Sequence, residues 1–306
     1  MSTHTESELT GAGGLGIYWQ AWIPQGRPRG VVVIAHGAGE HSGRYRHVAA
    51  ALLAERYAVY AIEHRGHGRS QGPRALIDRM DNAVADLDSL ITLAAGLHPT
   101  VSVFLLGHSV GATISLCYAI RRETEDPPGA QAGQGPLAGL ILSGPLAALP
   151  AASPPVRIAT KLLSALAPRV PVIAVDPALV SRDPAVVRAY AEDPLVHHGK
   201  LPARTVAELA AAIEAFPAAV QAIALPTLIL YGTADGLCPP AGSLMLAERI
   251  GSADRTLKAY EGLYHEILNE PEQDRVLADI CSWLAAHLDG PEDRGRGRRE
   301  SEPRLP

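Results

Sequence analysis

Residues 100–120 read TVSVFLLGHSVGATISLCYAI. A short apolar run stops at a glycine, a serine follows two residues later, and a second apolar run with helical spacing starts at once. Such a stretch predicts a buried strand turning sharply into a helix. The turn is tight enough that Gly107, Gly111 and Ala112 must be small, because side chains beside Ser109 would collide across it. A hydroxyl at the end of a buried strand packs poorly. It is well placed for chemistry, since open α/β sheets carry their sites at the C-terminal ends of the strands.

The rest of the chain repeats the same alternation. GVVVIAHG (30–37), YAVYAIEHRGHGRS (57–70, which begins as a strand), VSVFLLG (101–107), LAGLILSGP (137–145), LPTLILYGT (225–233) and RTLKAY (255–260) read as strands. Helical spacing appears over 45–57, 81–97, 110–123, 241–251 and 275–288. Near-continuous apolar strands between helices predict an α/β fold, with a mostly parallel sheet covered on both faces. With 306 residues, 47% of them hydrophobic but only 2 phenylalanines, the core must be built from Ala, Val, Leu and Ile.

Residues 147–224 break the rhythm. They are proline-rich, with short helical stretches and no clear strand, and they fall between two core strands. The expected organisation is a core over 1–146 and 225–289, an inserted lid over 147–224, and a disordered Pro-, Gly- and charge-rich tail over 290–306. Within the insertion, PPVRIATKLLSALAP (154–168) is amphipathic.

A serine hydroxyl is a weak nucleophile and needs a base, itself oriented by an acid. Gly107-His108-Ser109-Val110-Gly111 matches G-x-S-x-G, whose partners follow in the order acid, then histidine. Of 12 histidines, only His197, His198, His265 and His287 come after Ser109. His197 and His198 lie in the insertion and His287 in the last helix. His265 follows the last strand and is the expected base. Asp235, just past the strand 225–233, is the expected acid. Asp254 sits at the wrong end of its strand, and Asp183 and Asp193 lie in the insertion. Backbone donors for an oxyanion are expected at Val110, on a helix N-terminus, and at Ala38 in HGAGEH.

Together, AHGAGEHSGRYRHV, EHRGHGRSQG, LLGHSVGA, AYAEDPLVHHG, YGTADGLCPP and YEGLYHEILNEP resemble the monoacylglycerol lipases, serine enzymes of the α/β-hydrolase fold. The likeness spans about residues 16–288, and SRDPAVVRAYAEDPLVHHG is similar to the bacterial members. It implies a glycerol carrying one fatty acyl chain as substrate, cleaved to glycerol and fatty acid through an acyl-serine, with no metal or cofactor. It also implies a lid that forms an apolar tunnel and contacts a lipid or membrane surface. Glu40, Arg44 and Tyr190 would belong to a glycerol pocket or its supporting network, with His108 beside it. Glu40 and Arg44 read equally as an ion pair bracing the oxyanion loop, and Tyr190 as lid packing. Glu63 and His64 read as loop structure. Some positions depart from the family pattern: Val110, Gly111 and Ala112 stand where members usually have Met and then two glycines, and Glu63 where they often have Asp.

A lysophospholipase or general carboxylesterase would use the same triad with a different head-group pocket. A non-catalytic ligand-binding protein on this fold would tend to lack one triad member, and here all three are present. Net charge is −5, which argues against a nucleic-acid partner. Neither a leader pattern nor an apolar membrane span is evident, so a cytoplasmic chain with peripheral membrane contact is expected. The apolar lid would serve a lipid surface or a homodimer. Cys117 and Cys281 are expected as buried thiols. Cys238, close to Asp235 in sequence, is either inert packing or a reactive thiol.

Overall fold

The structure, a computed structural model, describes residues 2–125, 137–149 and 162–288. Six strands open the chain: β1 (Thr3–Thr10), β2 (Gly16–Ile23), β3 (Gly30–Ala35), β4 (Tyr57–Ile62), β5 (Ser102–His108) and β6 (Gly139–Ser143). A small antiparallel pair, β7 (Pro171–Ile173) and β8 (Leu201–Pro202), precedes β9 (Thr227–Gly232) and β10 (Arg255–Tyr260). The main sheet runs β1-β2-β4-β3-β5-β6-β9-β10. Pairing is antiparallel at β1–β2 and β2–β4 and parallel from β4 to β10.

Strand side chains alternate between two cores. Val31, Val33 and Ala35 face one layer, and Val32 and Ile34 the other. The first layer holds α2 (Met80–Leu97), α3 (Val110–Glu125) and, through Leu246, α6 (Pro240–Arg249). The opposite layer holds α1 (Arg46–Ala54) and α7 (Gln273–Ala286), whose Leu52, Ile280 and Trp283 are buried there. Burial on both faces is what makes β3, β4 and β5 read as unbroken apolar runs.

The β1–β2 hairpin was not legible. β1, THTESELT, is exposed along nearly its whole length, so no apolar alternation marks it. The insertion also differs from expectation. It contains the β7–β8 pair, α4 (Pro184–Glu192) and a 17-residue helix, α5 (Ala203–Ala219). The three-residue and two-residue strands are too short to carry a period of two. The long helix hides because Pro217 stands inside its last turns, where proline ordinarily marks an end. Of the amphipathic stretch 154–168, residues 162–166 are helical, and its earlier part lies outside the described residues. The tail 290–306 lies outside them too. Cys117 and Cys281, expected to be buried, are both partly exposed; Cys238 is buried, and all three are free thiols.

Candidate active site

Parallel strands bring their C-terminal ends to one edge, and the loops after β5, β9 and β10 meet there. Ser109 occupies the single position between β5 and α3, with φ of 53°. A non-glycine residue in this left-handed region is strained and must be held by its surroundings. Its N–H donates to the Ser143 carbonyl (3.0 Å), and its own carbonyl accepts from Ala112 N (3.0 Å) in the first turn of α3. Close approach explains the glycines. A Cβ on Gly111 would lie 2.1 Å from the Ala35 carbonyl oxygen, and one on Gly107 2.7 Å from Ala112 Cα.

His265 lies in the loop after β10, and its Nδ1 is 2.8 Å from Asp235 Oδ2. Asp235 sits in the turn after β9, where Oδ1 accepts from the backbone N–H of Leu237 (2.9 Å) and Cys238 (2.8 Å). This leaves Nε2 of His265 facing the cavity. Cys238 Sγ lies beside both side chains, 3.8 Å from Ser109 Oγ and 4.0 Å from His265 Nε2. Burial disfavours a charged His265 ring, but the Cys238 sulfur and the Asp235 carboxylate outweigh it and hold the pKa well above 6.5.

The loop after β3 approaches Ser109 from the other side, and both Ala38 and Val110 line the cavity over the serine. Glu40 braces this loop. It accepts from Gly37 N (2.6 Å), the Tyr45 hydroxyl (2.8 Å) and Arg44 Nη1 (2.7 Å). Burial would raise the Glu40 carboxyl; Arg44, His108, Tyr45 and Gly37 together hold it below 4.5. Arg44 also grips both oxygens of Glu266, at 2.6 and 2.7 Å. Its guanidinium stacks over the Tyr190 ring at 4.8 Å. His108 turns Nδ1 toward the Ser143 carbonyl (3.0 Å), and its ring lies 4.8 Å from that of His265. Burial and the nearby His265 lower its pKa.

The cavity has a volume of about 230 Å³ and two characters. Polar Glu40, His108, His265 and Glu266 line it with Ser109, and the apolar walls are Leu146, Ile173, Val180, Leu201, Val206 and Leu209. Tyr190 joins the lining from α4. Two backbone bonds tie the insertion to the site, from His197 N to Gly39 O (2.7 Å) and from Glu266 N to Val180 O (2.8 Å), beside the Arg44–Tyr190 stack.

Other candidates fall elsewhere. Asp254 pairs with His287 (3.1 Å), whose ring stacks on Trp283. Asp183 caps α4 through Ala185 N, and Asp193 pairs with His41. Glu63 accepts from Ser42 and from Arg69 N, structuring its loop. Sequence reasoning missed Glu266, although it directly follows His265 and a charged residue there was a usable signal. It also left open the placement of Cys238.

The family described as serine aminopeptidase, S33, matches residues 26–272. A monoacylglycerol lipase of Mycolicibacterium smegmatis is 44% identical, over 94% of this chain and 99% of its own length. A monoglyceride lipase of Rattus norvegicus is 35% identical, over 92% of this chain and 90% of its own. The crystal structure of a monoacylglycerol lipase of Paleococcus ferrophilus superposes with a TM-score of 0.75 at 30% identity, over 94% of this chain and 99% of that one.

Proposed function

The chain belongs to the serine α/β-hydrolase family that includes the monoacylglycerol lipases, and from that premise we propose that it hydrolyses the single ester of a monoacylglycerol. The observation that carries the reading is the cavity itself: Ser109 lines it together with the polar Glu40, His108, His265 and Glu266 and the apolar Leu146, Ile173, Val180, Leu201, Val206 and Leu209. An ester carbonyl at Ser109 then has polar groups to receive glycerol and apolar walls to receive the acyl chain.

Ser109 attacks the carbonyl while His265 Nε2 takes its proton. Asp235 holds the ring by Nδ1 and stabilises the imidazolium. The N–H groups of Val110 and Ala38 bind the oxyanion, the first aided by the N-terminal dipole of α3. His265 then protonates the departing glycerol. A water deprotonated by the same nitrogen releases the fatty acid from Ser109. Glu40, held by Arg44, fixes the Gly37 amide, and with it the loop carrying Ala38. Val110 also lines the cavity, so its β-branched side chain takes part in setting acyl preference.

The insertion acts as the lid. Leu149 and Ile173, at 43% and 50% exposure, stand at the cavity lining, with Leu162 and Leu166 at 57% and 84% on the same insertion. These side chains suit contact with a lipid surface. Among the described residues no helix is long and apolar enough to cross a membrane.

A lysophospholipase reading is less well supported. The lining acids, Glu40 and Glu266, are both engaged by Arg44, which leaves neither to receive a cationic head group. The test is free-glycerol release from monoacylglycerols of several chain lengths, against lysophosphatidylcholine and diacylglycerol. Monoacylglycerol preference that vanishes in Ser109→Ala is the expected result. Turnover unaffected by that substitution would sink the assignment.

A further inference from the structure

The hydrolytic chemistry of Ser109 and His265 does not call on a thiol beside them. Yet Cys238 Sγ lies 4.0 Å from His265 Nε2 and 3.8 Å from Ser109 Oγ. Donor atoms of Asp235, Cys238 and His265 all lie within 4.8 Å of one another, and all three residues are buried. We propose that Cys238 and His265 form an inhibitory site for a thiophilic divalent cation of the zinc class. The proposal rests on the serine-hydrolase reading only for its consequence, loss of turnover.

The donor set selects the ion. A thiolate with an imidazole nitrogen favours zinc or cadmium and is a poor host for magnesium or calcium. Zinc bonds of about 2.3 Å to sulfur and about 2.0 Å to nitrogen require these two atoms to draw together only slightly. Asp235 Oδ2 on Nδ1, at 2.8 Å, is the outer carboxylate that orients a metal-bound histidine. The Cys238 backbone is held by Asp235 Oδ1 at 2.8 Å. Cys238 and His265 both line the cavity, which supplies an entry path, and Ser109 Oγ or water can fill the remaining positions.

Binding breaks the Cys238 S–H bond and, where the His265 ring carries a proton on Nε2, that N–H bond as well; each proton goes to solvent. One metal–sulfur and one metal–nitrogen bond form, and nothing is oxidised or reduced. The nitrogen lone pair that would take the Ser109 proton is then occupied, so the ion inhibits.

The experiment uses the full chain under a non-chelating reductant, with Zn²⁺, Cd²⁺ and Mg²⁺ titrated separately. Hydrolysis of a short water-soluble p-nitrophenyl ester is read against each variant's own metal-free rate. Cd²⁺ binding is read independently by the ultraviolet thiolate-to-metal absorption. The expected result is inhibition by Zn²⁺ and Cd²⁺, reversed by a chelator, with Mg²⁺ inert. In Cys238→Ser the half-inhibiting concentration rises at least tenfold and the Cd²⁺ band is lost, while Cys117→Ser and Cys281→Ser retain both. Ser109→Ala keeps the Cd²⁺ band, so the site is read even where turnover is absent. A Cys238→Ser protein as sensitive as its parent, a surviving band, or stimulation by Zn²⁺ would overturn the proposal. An ester-inactive parent that still binds Cd²⁺ through Cys238 would instead sink the hydrolase reading.

Discussion

Arg44 holds both carboxylate oxygens of Glu266, at 2.6 and 2.7 Å, and Glu266 is the residue directly after His265. The same guanidinium holds Glu40, whose other oxygen fixes the Gly37 amide. One buried cation thus ties the loop after β3 to the loop after β10, the two sides of the cavity over Ser109. Arg44, Glu40 and Glu266 are all nearly inaccessible, so the carboxylates cannot turn to water if the cation is lost.

Arg44→Lys is therefore not conservative, because one ammonium cannot reproduce the bidentate grip. Arg44→Met leaves two facing buried carboxylates, and removing one partner of such a network costs about 3–5 kcal/mol. Chemical denaturation should show that loss for Met and a smaller one for Lys. In the Lys protein kcat should fall up to about 100-fold, the scale of an ångström's misplacement at the reacting centre, with KM moving less. An unchanged kcat would remove Arg44 from the positioning of the site.

Asp235→Asn should preserve the fold and cripple turnover. Its amide oxygen can still accept from the Leu237 and Cys238 amides, which now bond to Oδ1. The NH₂ group would then face His265 Nδ1 and impose the wrong tautomer. A fall in kcat of about 10³–10⁴-fold is expected, with a near-parental melting temperature. A loss below tenfold would point to another acid.

His36, His64 and His67 form a fully buried cluster, with His36 and His64 ring centres 4.5 Å apart. Burial, reinforced by neighbouring histidines, pushes His64 down to about 3 and His36 well below 6.5; burial likewise takes His67 down to about 4. The unfolded chain binds protons on these rings near pH 6.5, whereas the folded chain does not. The stability they contribute is full above that pH and is lost as pH falls toward the folded values. Each histidine accounts for roughly 1.4 kcal/mol per pH unit in that window. Denaturation between pH 7 and 5 should show stability falling with acid, and His67→Asn should flatten the slope by one proton. A slope unchanged in that variant would contradict the assignment.

Two glycines should respond oppositely to alanine. Gly111→Ala places a Cβ against the Ala35 carbonyl, and both backbones are fixed by β3 and α3, so several kcal/mol or failure to fold is expected. Gly96, in the last turn of α2, meets nothing within 4 Å. Gly96→Ala should stabilise by about 0.5 kcal/mol. Melting curves of the two proteins decide both points, and a tolerated Gly111→Ala would mean the turn at Ser109 is looser than its geometry.

What the sequence by itself determined is local. Runs such as GVVVIA and LILYG are apolar on both faces, and a strand with that pattern can only be an inner strand. The turn at Ser109 was legible because a strand, a glycine, a serine and a helix follow one another within a few residues. Asp235 and His265 were legible as residues just past strand ends. The hairpin of β1 and β2 was not, because an exposed edge strand needs no apolar alternation. Only the tertiary structure decided that Glu266 and Glu40, 226 positions apart in number, share one arginine, and that Cys238 stands beside both Ser109 and His265. The reason is strand order. Periodicity encodes which face of an element is buried, but the lateral order β5-β6-β9-β10 decides which loops meet at the sheet's edge. That order is set by packing of whole layers, which no short stretch of sequence contains.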